Sequence, residues 1–280
     1  MNNNASAGLS KTVSHVLAKE YVAQERISHH GFQKSMGTYL KLLQRFGGLQ
    51  GTKLFFQIMT RQFNSLKLPG IKHPVSLRKA TSDVYVFYQV FLYNEYDIKF
   101  KTTPRVIIDG GANIGLFTVK MKAEFPDAKI ICVEPDKSNF QQLQKNVSPY
   151  EDVFCENRGV WSREAKLKVW DKYEIGEWAY VVEEDEKDWN VNAISIKALM
   201  KKYNIDFIDV LKLDIESSEK QVFSEDFSYW VARTKMIIIE LHDSMKEGCA
   251  QQFFEAIHKT ISNYTFSIKG ENVVIINKDI

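Results

Sequence analysis

The sequence has few of the features that mark secreted, metal-stapled or membrane-spanning proteins. Its 280 residues include three cysteines, Cys132, Cys155 and Cys249, which stand far apart without a C-x-x-C pair, so neither a disulfide framework nor a structural zinc site is indicated. The apolar runs are far shorter than the roughly 20 residues that cross a bilayer. The first residues contain no apolar signal segment. We therefore expect a cytoplasmic protein in a reducing compartment.

Neither sign of charge dominates the composition. Lys and Arg number 37 against 35 Asp and Glu, a net charge of +2, and 44% of the residues are hydrophobic. This is the composition of an ordinary soluble globular protein. Because no block of basic residues indicates a phosphate-binding field, nucleic acid is not an expected partner.

Residues 1–103 are predicted to form an N-terminal helical extension and lead-in, followed by a second domain at residues 104–280. Between residues 11 and 64, apolar residues recur at intervals of three and four, with a break at Gly47 and Gly48. Basic residues interleave with them, so this layer either packs on its own domain or makes a peripheral membrane contact. A short strand is expected at residues 75–78 and a helix at 83–96.

After residue 104, short apolar strands alternate with helical stretches, a pattern typical of βαβ units. Strands are predicted at 106–109, 129–134, 153–155, 210–214 and 237–241, and helices at 116–124, 138–146, 196–203, 218–223 and 247–262. Gly270 and Glu271 join strands 264–269 and 272–277 in a hairpin. The predicted fold class is α/β: a Rossmann-like, doubly wound, mostly parallel sheet with a C-terminal antiparallel hairpin. Residues 160–192 are expected to form an irregular hairpin and loop beside the active face.

A glycine turn, V-I-I-D-G-G-A-N-I-G at residues 106–115, follows the first of these strands. Ligands of doubly wound sheets bind at such turns, and Glu134 at the end of the next strand can accept both hydroxyls of a ribose. A dinucleotide fingerprint requires G-x-G-x-x-G, but Ala112 replaces the middle glycine. Asp109 would repel a pyrophosphate and attract the ammonium and sulfonium of S-adenosylmethionine. The turn therefore favours the methyl donor, with an NAD-dependent oxidoreductase as the alternative.

Methyl transfer to an alcohol needs a group that removes the proton of the acceptor. Asp214 and Glu216 end the fourth strand, and Glu240, His242 and Asp243 end the fifth, so we expect these side chains to converge. His242 is the preferred base because its ordinary pKa is about 6.5. Alternatively, Asp214, Glu216, Glu240 and His242 could share a divalent cation such as Mg²⁺. A purely structural role for Asp214 and Glu216 is capping of the following helix.

The glycine turn resembles motif I of class I S-adenosylmethionine-dependent methyltransferases. Residues 208–219, I-D-V-L-K-L-D-I-E-S-S-E, resemble the D-x-L-K-x-D-I-E-G-x-E signature of the FkbM methyltransferase family, with Ser217 in place of the usual glycine. Residues 68–83 are similar to the lead-in of family members encoded near glycan-assembly genes. The resemblance covers the chain from about residue 68 onward.

This resemblance implies an O-methyltransferase that acts on a hydroxyl of a carbohydrate or glycan-linked acceptor. His242, Asp214 and Glu216 would form the catalytic group. The residues that the resemblance assigns to the cofactor are Asp109, Gly110, Gly111, Asn113, Gly115, Glu134, Asn157 and Asp214. A catalytically silent cofactor-binding protein of a glycan-assembly system is a further alternative.

Overall fold

The structure, a computed structural model, describes residues 32–60, 65–170 and 181–280. Their strands are β1 (Val106–Gly110), β2 (Lys129–Val133), β3 (Val153–Glu156), β4 (Gly159–Trp161), β5 (Lys166–Trp170), β6 (Val181–Glu184), β7 (Val191–Ser195), β8 (Ile208–Leu213), β9 (Thr234–Glu240), β10 (Tyr264–Lys269) and β11 (Asn272–Asn277). Their α-helices are α1 (Phe32–Phe46), α2 (Gly48–Met59), α3 (Asp83–Phe87), α4 (Leu116–Glu124), α5 (Lys137–Val147), α6 (Ile196–Lys202), α7 (Glu219–Val222), α8 (Phe227–Val231) and α9 (Cys249–Thr260). None of these helices combines the length and apolarity that a bilayer span requires.

The central sheet has the order β10-β11-β9-β8-β1-β2-β3. β1, β2, β3, β8 and β9 pair in parallel, whereas β11 is antiparallel to both β9 and β10. The chain moves outward from β1 to β3 and then returns to β8 on the other side of β1. The order therefore reverses at β1 and β8, where ligands of doubly wound sheets bind. The predicted fold class and the C-terminal hairpin are confirmed.

Apolar side chains cover both faces of this sheet. One cluster joins Ile107 of β1 to helices α4 and α5 and to the N-terminal helices, through residues such as Leu42 and Leu54. The other joins Ile108 of β1 to α6, α8 and α9, through residues such as Phe253. Both faces of β1 are therefore buried, which explains its continuous apolar sequence.

The predicted break between the N-terminal helices lies where expected. Gly47 separates α1 from α2 with φ +79°, a conformation that glycine adopts without strain. A Cβ on Gly51 would lie 2.5 Å from the carbonyl oxygen of Leu42, so the two helices pack in close contact there. The parts of the predicted helical layer at residues 11–31 and 61–64 lie outside the described residues.

Two predictions for the lead-in are wrong. Residues 75–78 form no strand; a single antiparallel bridge joins Leu66 and Val75, because the neighbouring backbone N–H groups of Ser76 and Arg78 donate to side chains instead. The helix predicted at residues 83–96 ends early, since α3 passes into a π-helical turn that ends at Leu92. Asn94 then adopts a left-handed conformation with φ +59°.

The segment at residues 160–192 differs most from the expectation of an irregular hairpin and loop. Within its described residues, β5 and β6 do form an antiparallel hairpin, but it belongs to a second sheet of order β4-β7-β5-β6. Side chains alternate along β5: Leu167 and Val169 are buried, whereas Lys166 and Trp170 are exposed. Because β4 pairs in parallel with the distant β7, no local pattern indicated this sheet.

Candidate functional site

A cleft lies beyond the carboxyl ends of β1, β2 and β8, with about 550 Å³ of empty space that includes open solvent. The lining residues are Gly111, Asn113, Glu134, Pro135, Asp136, Asn139, Gly159, Val160, Val169, Val182, Asp214, Ile215, Glu216 and Ser218. The cleft therefore joins the glycine turn to the D-I-E segment, with the second sheet as an apolar wall.

The glycine turn passes very close to the end of β8. Gly111 has φ +71°, and a Cβ on it would lie 1.7 Å from the carbonyl oxygen of Asp214, so only glycine fits. The backbone N–H groups of Gly111 and Ala112 both donate to the carbonyl oxygen of Val133 at the end of β2, at 2.9 and 3.0 Å. These contacts hold the turn against the mouth of the cleft.

Glu134 presents a fixed carboxylate to the cleft. Its Oε2 accepts a hydrogen bond from the backbone N–H of Asn113 at 2.8 Å, and its Oε1 accepts one from that of Asp136 at 2.9 Å. Burial raises the pKa of Glu134 to about 7, although these two hydrogen bonds act in the opposite direction. Each oxygen keeps a further lone pair for a donor such as a ribose hydroxyl.

Asp109 lies beneath the turn and does not line the cleft. Its side chain is fully buried, accepts a hydrogen bond from Thr118 Oγ1 at 2.8 Å and lies 3.4 Å from Lys212 Nζ. Lys212 also donates to the carbonyl oxygen of Gly111 at 2.7 Å. Burial alone would lower the pKa of Lys212, but Asp214 and Asp109 raise it above its usual range. Asp109 therefore braces the turn through Lys212 and lies behind the residues that line the cleft.

Three other residues assigned to the cofactor also lie outside the cleft lining. Added Cβ atoms at Gly110 and Gly115 would lie 2.8 and 2.6 Å from leucine side chains, so both glycines serve close packing. Asn157 donates from Nδ2 to the carbonyl oxygens of Glu134 and Pro135, at 2.9 and 3.0 Å. Gly159 and Val160, beyond Asn157, line the cleft instead.

The acidic residues predicted to converge do so around His242. Its Nδ1 lies 2.7 Å from Glu219 Oε1, and its Nε2 lies 3.4 Å from Glu240 Oε1, 3.7 Å from Glu216 Oε2 and 4.0 Å from Asp214 Oδ1. Asp243 takes no part, because its carboxylate accepts hydrogen bonds from the backbone of Gly248 and Ala250 at the start of α9.

This arrangement changes the protonation of His242. Burial alone would lower its pKa, but the carboxylates of Glu216, Glu219 and Glu240 outweigh that effect and raise the pKa well above 6.5. Burial also raises the pKa of Glu216, which His242 partly opposes. The pKa of His242 therefore lies above the ordinary value for which this residue is preferred as the base.

The chain around these carboxylates is strained. Glu216 and Ser217 have φ +47° and +72°, and a non-glycine residue rarely adopts this left-handed conformation. The next residue, Ser218, lines the cleft, and its buried Oγ has no hydrogen-bond partner among the described residues. An orphaned hydroxyl in a cleft wall fits a bound polar ligand.

Sequence reasoning missed several residues of this site. Asp136 lies on the turn after β2 and caps α5, where its side chain accepts a hydrogen bond from the N–H of Asn139 in the first turn of that helix. An aspartate before a helical pattern is a recognisable cap signal. Val169 and Val182 come from the second sheet, in which the pairing of β4 with β7 has no local signal in the sequence.

A family model described as "Methyltransferase FkbM domain" matches residues 109–268, more than half of the chain. This span contains residues 109–115 of the glycine turn, Glu134, the D-I-E segment and His242.

Two curated relatives match short segments. Methyltransferase sdnD of Sordaria araneosa is 36% identical over 64 residues, which are 23% of this chain and 25% of the relative. Methyltransferase 1 of Beauveria bassiana is 32% identical over 63 residues, 22% of this chain and 25% of the relative. The matches thus span about a quarter of each relative. Among solved structures, a methyltransferase FkbM from Methylobacillus flagellatus KT superimposes with a TM-score of 0.48 at 13% identity, covering 87% of this chain and 59% of that one.

Proposed function

This chain belongs to the FkbM methyltransferase family, and we propose that it transfers the methyl group of S-adenosylmethionine to a hydroxyl of a carbohydrate or glycan-linked acceptor. One observation carries the proposal: a single cleft holds a ribose-compatible carboxylate, Glu134, and opens at its other end toward the acidic group around His242. The glycan part depends on the similarity of residues 68–83 to family members from glycan-assembly clusters.

The cleft supports a specific placement of the cofactor. Glu134 would accept the two ribose hydroxyls, since its oxygens are already fixed by backbone donors. Val160, Val169 and Val182 would cover the adenine with apolar surface. The methionine portion would then lie along Gly111 and Asn113, with its ammonium toward Asp214.

The acceptor would bind at the mouth of the cleft beside His242. When bound, S-adenosylmethionine supplies an electrophilic methyl group on a sulfonium. The acceptor oxygen would form the new bond to the methyl carbon as the methyl–sulfur bond breaks, and the electron pair of that bond would leave with S-adenosylhomocysteine. The acceptor proton passes to Nε2 of His242, because Glu219 holds Nδ1. Glu216 and Glu240 stabilise the resulting imidazolium.

A variant at His242 tests this role. His242→Gln is expected to lower kcat by about 10²–10⁴-fold, the usual contribution of a general base, while leaving the affinity for S-adenosylhomocysteine unchanged. In the wild type, kcat should rise toward alkaline pH, since only neutral imidazole accepts a proton and the carboxylates raise its pKa. The assay measures transfer of labelled methyl groups to a saccharide panel. His258→Gln, on α9 and hydrogen-bonded to Tyr264, is the matched control. A loss of affinity for S-adenosylhomocysteine in His242→Gln that is as large as the loss of kcat would refute the assignment.

A metal-assisted reaction is the second candidate. Asp214, Glu240 and His242 offer ligand atoms that lie within 4.8 Å of one another. A divalent cation such as Mg²⁺ held there would occupy Nε2 of His242 and would itself lower the pKa of an acceptor hydroxyl. Activity that is lost after EDTA treatment and restored by Mg²⁺ would favour this candidate. Unchanged activity after EDTA treatment would favour the His242 base.

A further inference from the structure

The near-zero net charge of the chain conceals an uneven distribution. Between Arg26 and Ser82, the sequence contains ten Lys and Arg residues and no Asp or Glu. The other positions carry 27 Lys and Arg against 35 Asp and Glu, a net charge of −8. Basic charge is therefore concentrated in the part of the chain that contains helices α1 and α2, even though it forms no contiguous basic block.

The same part of the chain exposes large apolar side chains. Leu49 is 91% exposed, Leu40 58% and Phe56 60%, and Met36 and Met59 are about half exposed. We call these five residues, together with Lys53, the hairpin face. Helices that pack on their own domain usually bury such residues, and contiguous exposed apolar surface marks an interaction site.

Helix periodicity places these residues on the outer side of the hairpin. Along α2, Leu49, Lys53 and Phe56 recur at intervals of four and three and form one stripe; along α1, Met36 and Leu40 are four residues apart. The opposite stripes carry the buried residues of the shared core: Leu42 on α1, and Leu54 and Ile58 on α2.

Within residues 32–60, 65–170 and 181–280, the contacts between the helices leave the hairpin face uncovered. Tyr39 of α1 meets α2 through a 3.1 Å hydrogen bond to Thr52 and a ring contact with Phe55 at 4.9 Å between centroids. Near Leu49, the side chain of Gln50 donates to the carbonyl oxygen of Lys67 at 2.7 Å, which fixes exposed Lys67 beside the start of α2.

We propose that the hairpin face docks on an anionic lipid bilayer. An amphipathic surface with exposed Leu, Met and Phe beside Lys is the composition that binds in the plane of a membrane interface, where apolar insertion and attraction to acidic headgroups add. A second copy of the chain fits less well, because Lys53 stands in the middle of the stripe and lysine is depleted from the cores of protein–protein interfaces. The proposal is independent of the methyl acceptor.

Flotation of the full chain with vesicles tests this docking. Binding is expected to phosphatidylcholine vesicles containing about 30% phosphatidylserine, at least tenfold weaker binding to pure phosphatidylcholine, and release as salt rises from 0.05 to 0.5 M, since salt screens the attraction. Leu49→Ser combined with Phe56→Ser should weaken binding to the anionic vesicles at least tenfold. Lys53→Gln combined with Lys67→Gln should also weaken binding to the anionic vesicles at least tenfold, without changing the circular dichroism spectrum.

The matched control is Phe207→Ser combined with Ile268→Ser. These residues are 51% and 67% exposed and lie outside helices α1 and α2, so their replacement should leave vesicle binding unchanged. Absence of binding to anionic vesicles, or equal binding by the Leu49 and Phe56 variant, would overturn the proposal. A dimer in sedimentation that this variant dissociates, without vesicle binding, would instead identify a contact between copies. Salt-sensitive binding to duplex DNA or RNA in place of vesicles would also overturn it.

Discussion

Protonation of Glu134 should control cofactor affinity. Burial raises the pKa of Glu134 to about 7 in the free protein, so the carboxylate is about half protonated at pH 7. Ribose hydroxyls donate hydrogen bonds to the ionised form, so only the carboxylate state binds well. The apparent affinity scales with the fraction of protein in which Glu134 is ionised, and this fraction falls about tenfold between pH 8 and pH 6. The corresponding loss of binding free energy is about 1.4 kcal/mol.

The assay is calorimetric titration at pH 6, 7 and 8. The probe is 5′-methylthioadenosine, which retains the ribose but lacks the amino-acid portion of S-adenosylhomocysteine, so no α-amino group of the ligand adds a second titration. In the wild type we expect affinity to rise with pH. Glu134→Gln should bind more weakly and show no dependence on pH in this range.

Glu156→Gln is the matched control. Glu156 is likewise buried at the end of its strand, β3, but hydrogen bonds from Lys202 and Tyr203 outweigh its burial and lower its pKa. This variant should retain the pH dependence of the wild type. The placement of the ribose on Glu134 would be refuted if the affinity of the wild type stayed constant from pH 6 to 8. It would also be refuted if the affinity of Glu134→Gln changed with pH as much as that of the wild type.

Two further predictions concern the stability of the site, both measured by urea denaturation. Ser217→Gly should raise the free energy of unfolding by about 1 kcal/mol, because glycine adopts φ +72° without the cost of a left-handed conformation; Ser218→Gly, at φ −82°, should not stabilise. Lys212→Met should lower the free energy of unfolding by about 3–5 kcal/mol, because the carboxylate of Asp109 would remain buried without its cationic partner. Adding Asp109→Asn should recover part of this loss, and no recovery would contradict the pairing.

Local patterns were sufficient to predict much of the sheet. The C-terminal hairpin has the predicted bounds, Tyr264–Lys269 and Asn272–Asn277, because two strands and a turn of two residues are contiguous in sequence. The second sheet could not be predicted in this way. β4 pairs in parallel with β7, and a pairing between distant segments depends on tertiary packing rather than on local periodicity.

In the candidate site too, some features were predicted from local sequence and others depend on tertiary contacts. The convergence of Asp214, Glu216, Glu240 and His242 followed from strand ends, whereas the partner of His242 in α7, Glu219, was missed. Asp109 was recognised as important but assigned to the cofactor. A signal for its pairing existed: β1 and β8 align Asp109 with Lys212 in register, so side chains at these positions point to the same face of the sheet.

Calorimetric titration with S-adenosylhomocysteine and, separately, with NAD tests the central claim most directly. The metal-stripped wild-type chain should bind S-adenosylhomocysteine with micromolar affinity, about −8 kcal/mol, and should not bind NAD. Glu134 and the glycine turn would then hold the nucleoside of a methyl donor. Binding of NAD without binding of S-adenosylhomocysteine would contradict the account of this cleft and the mechanism built on it.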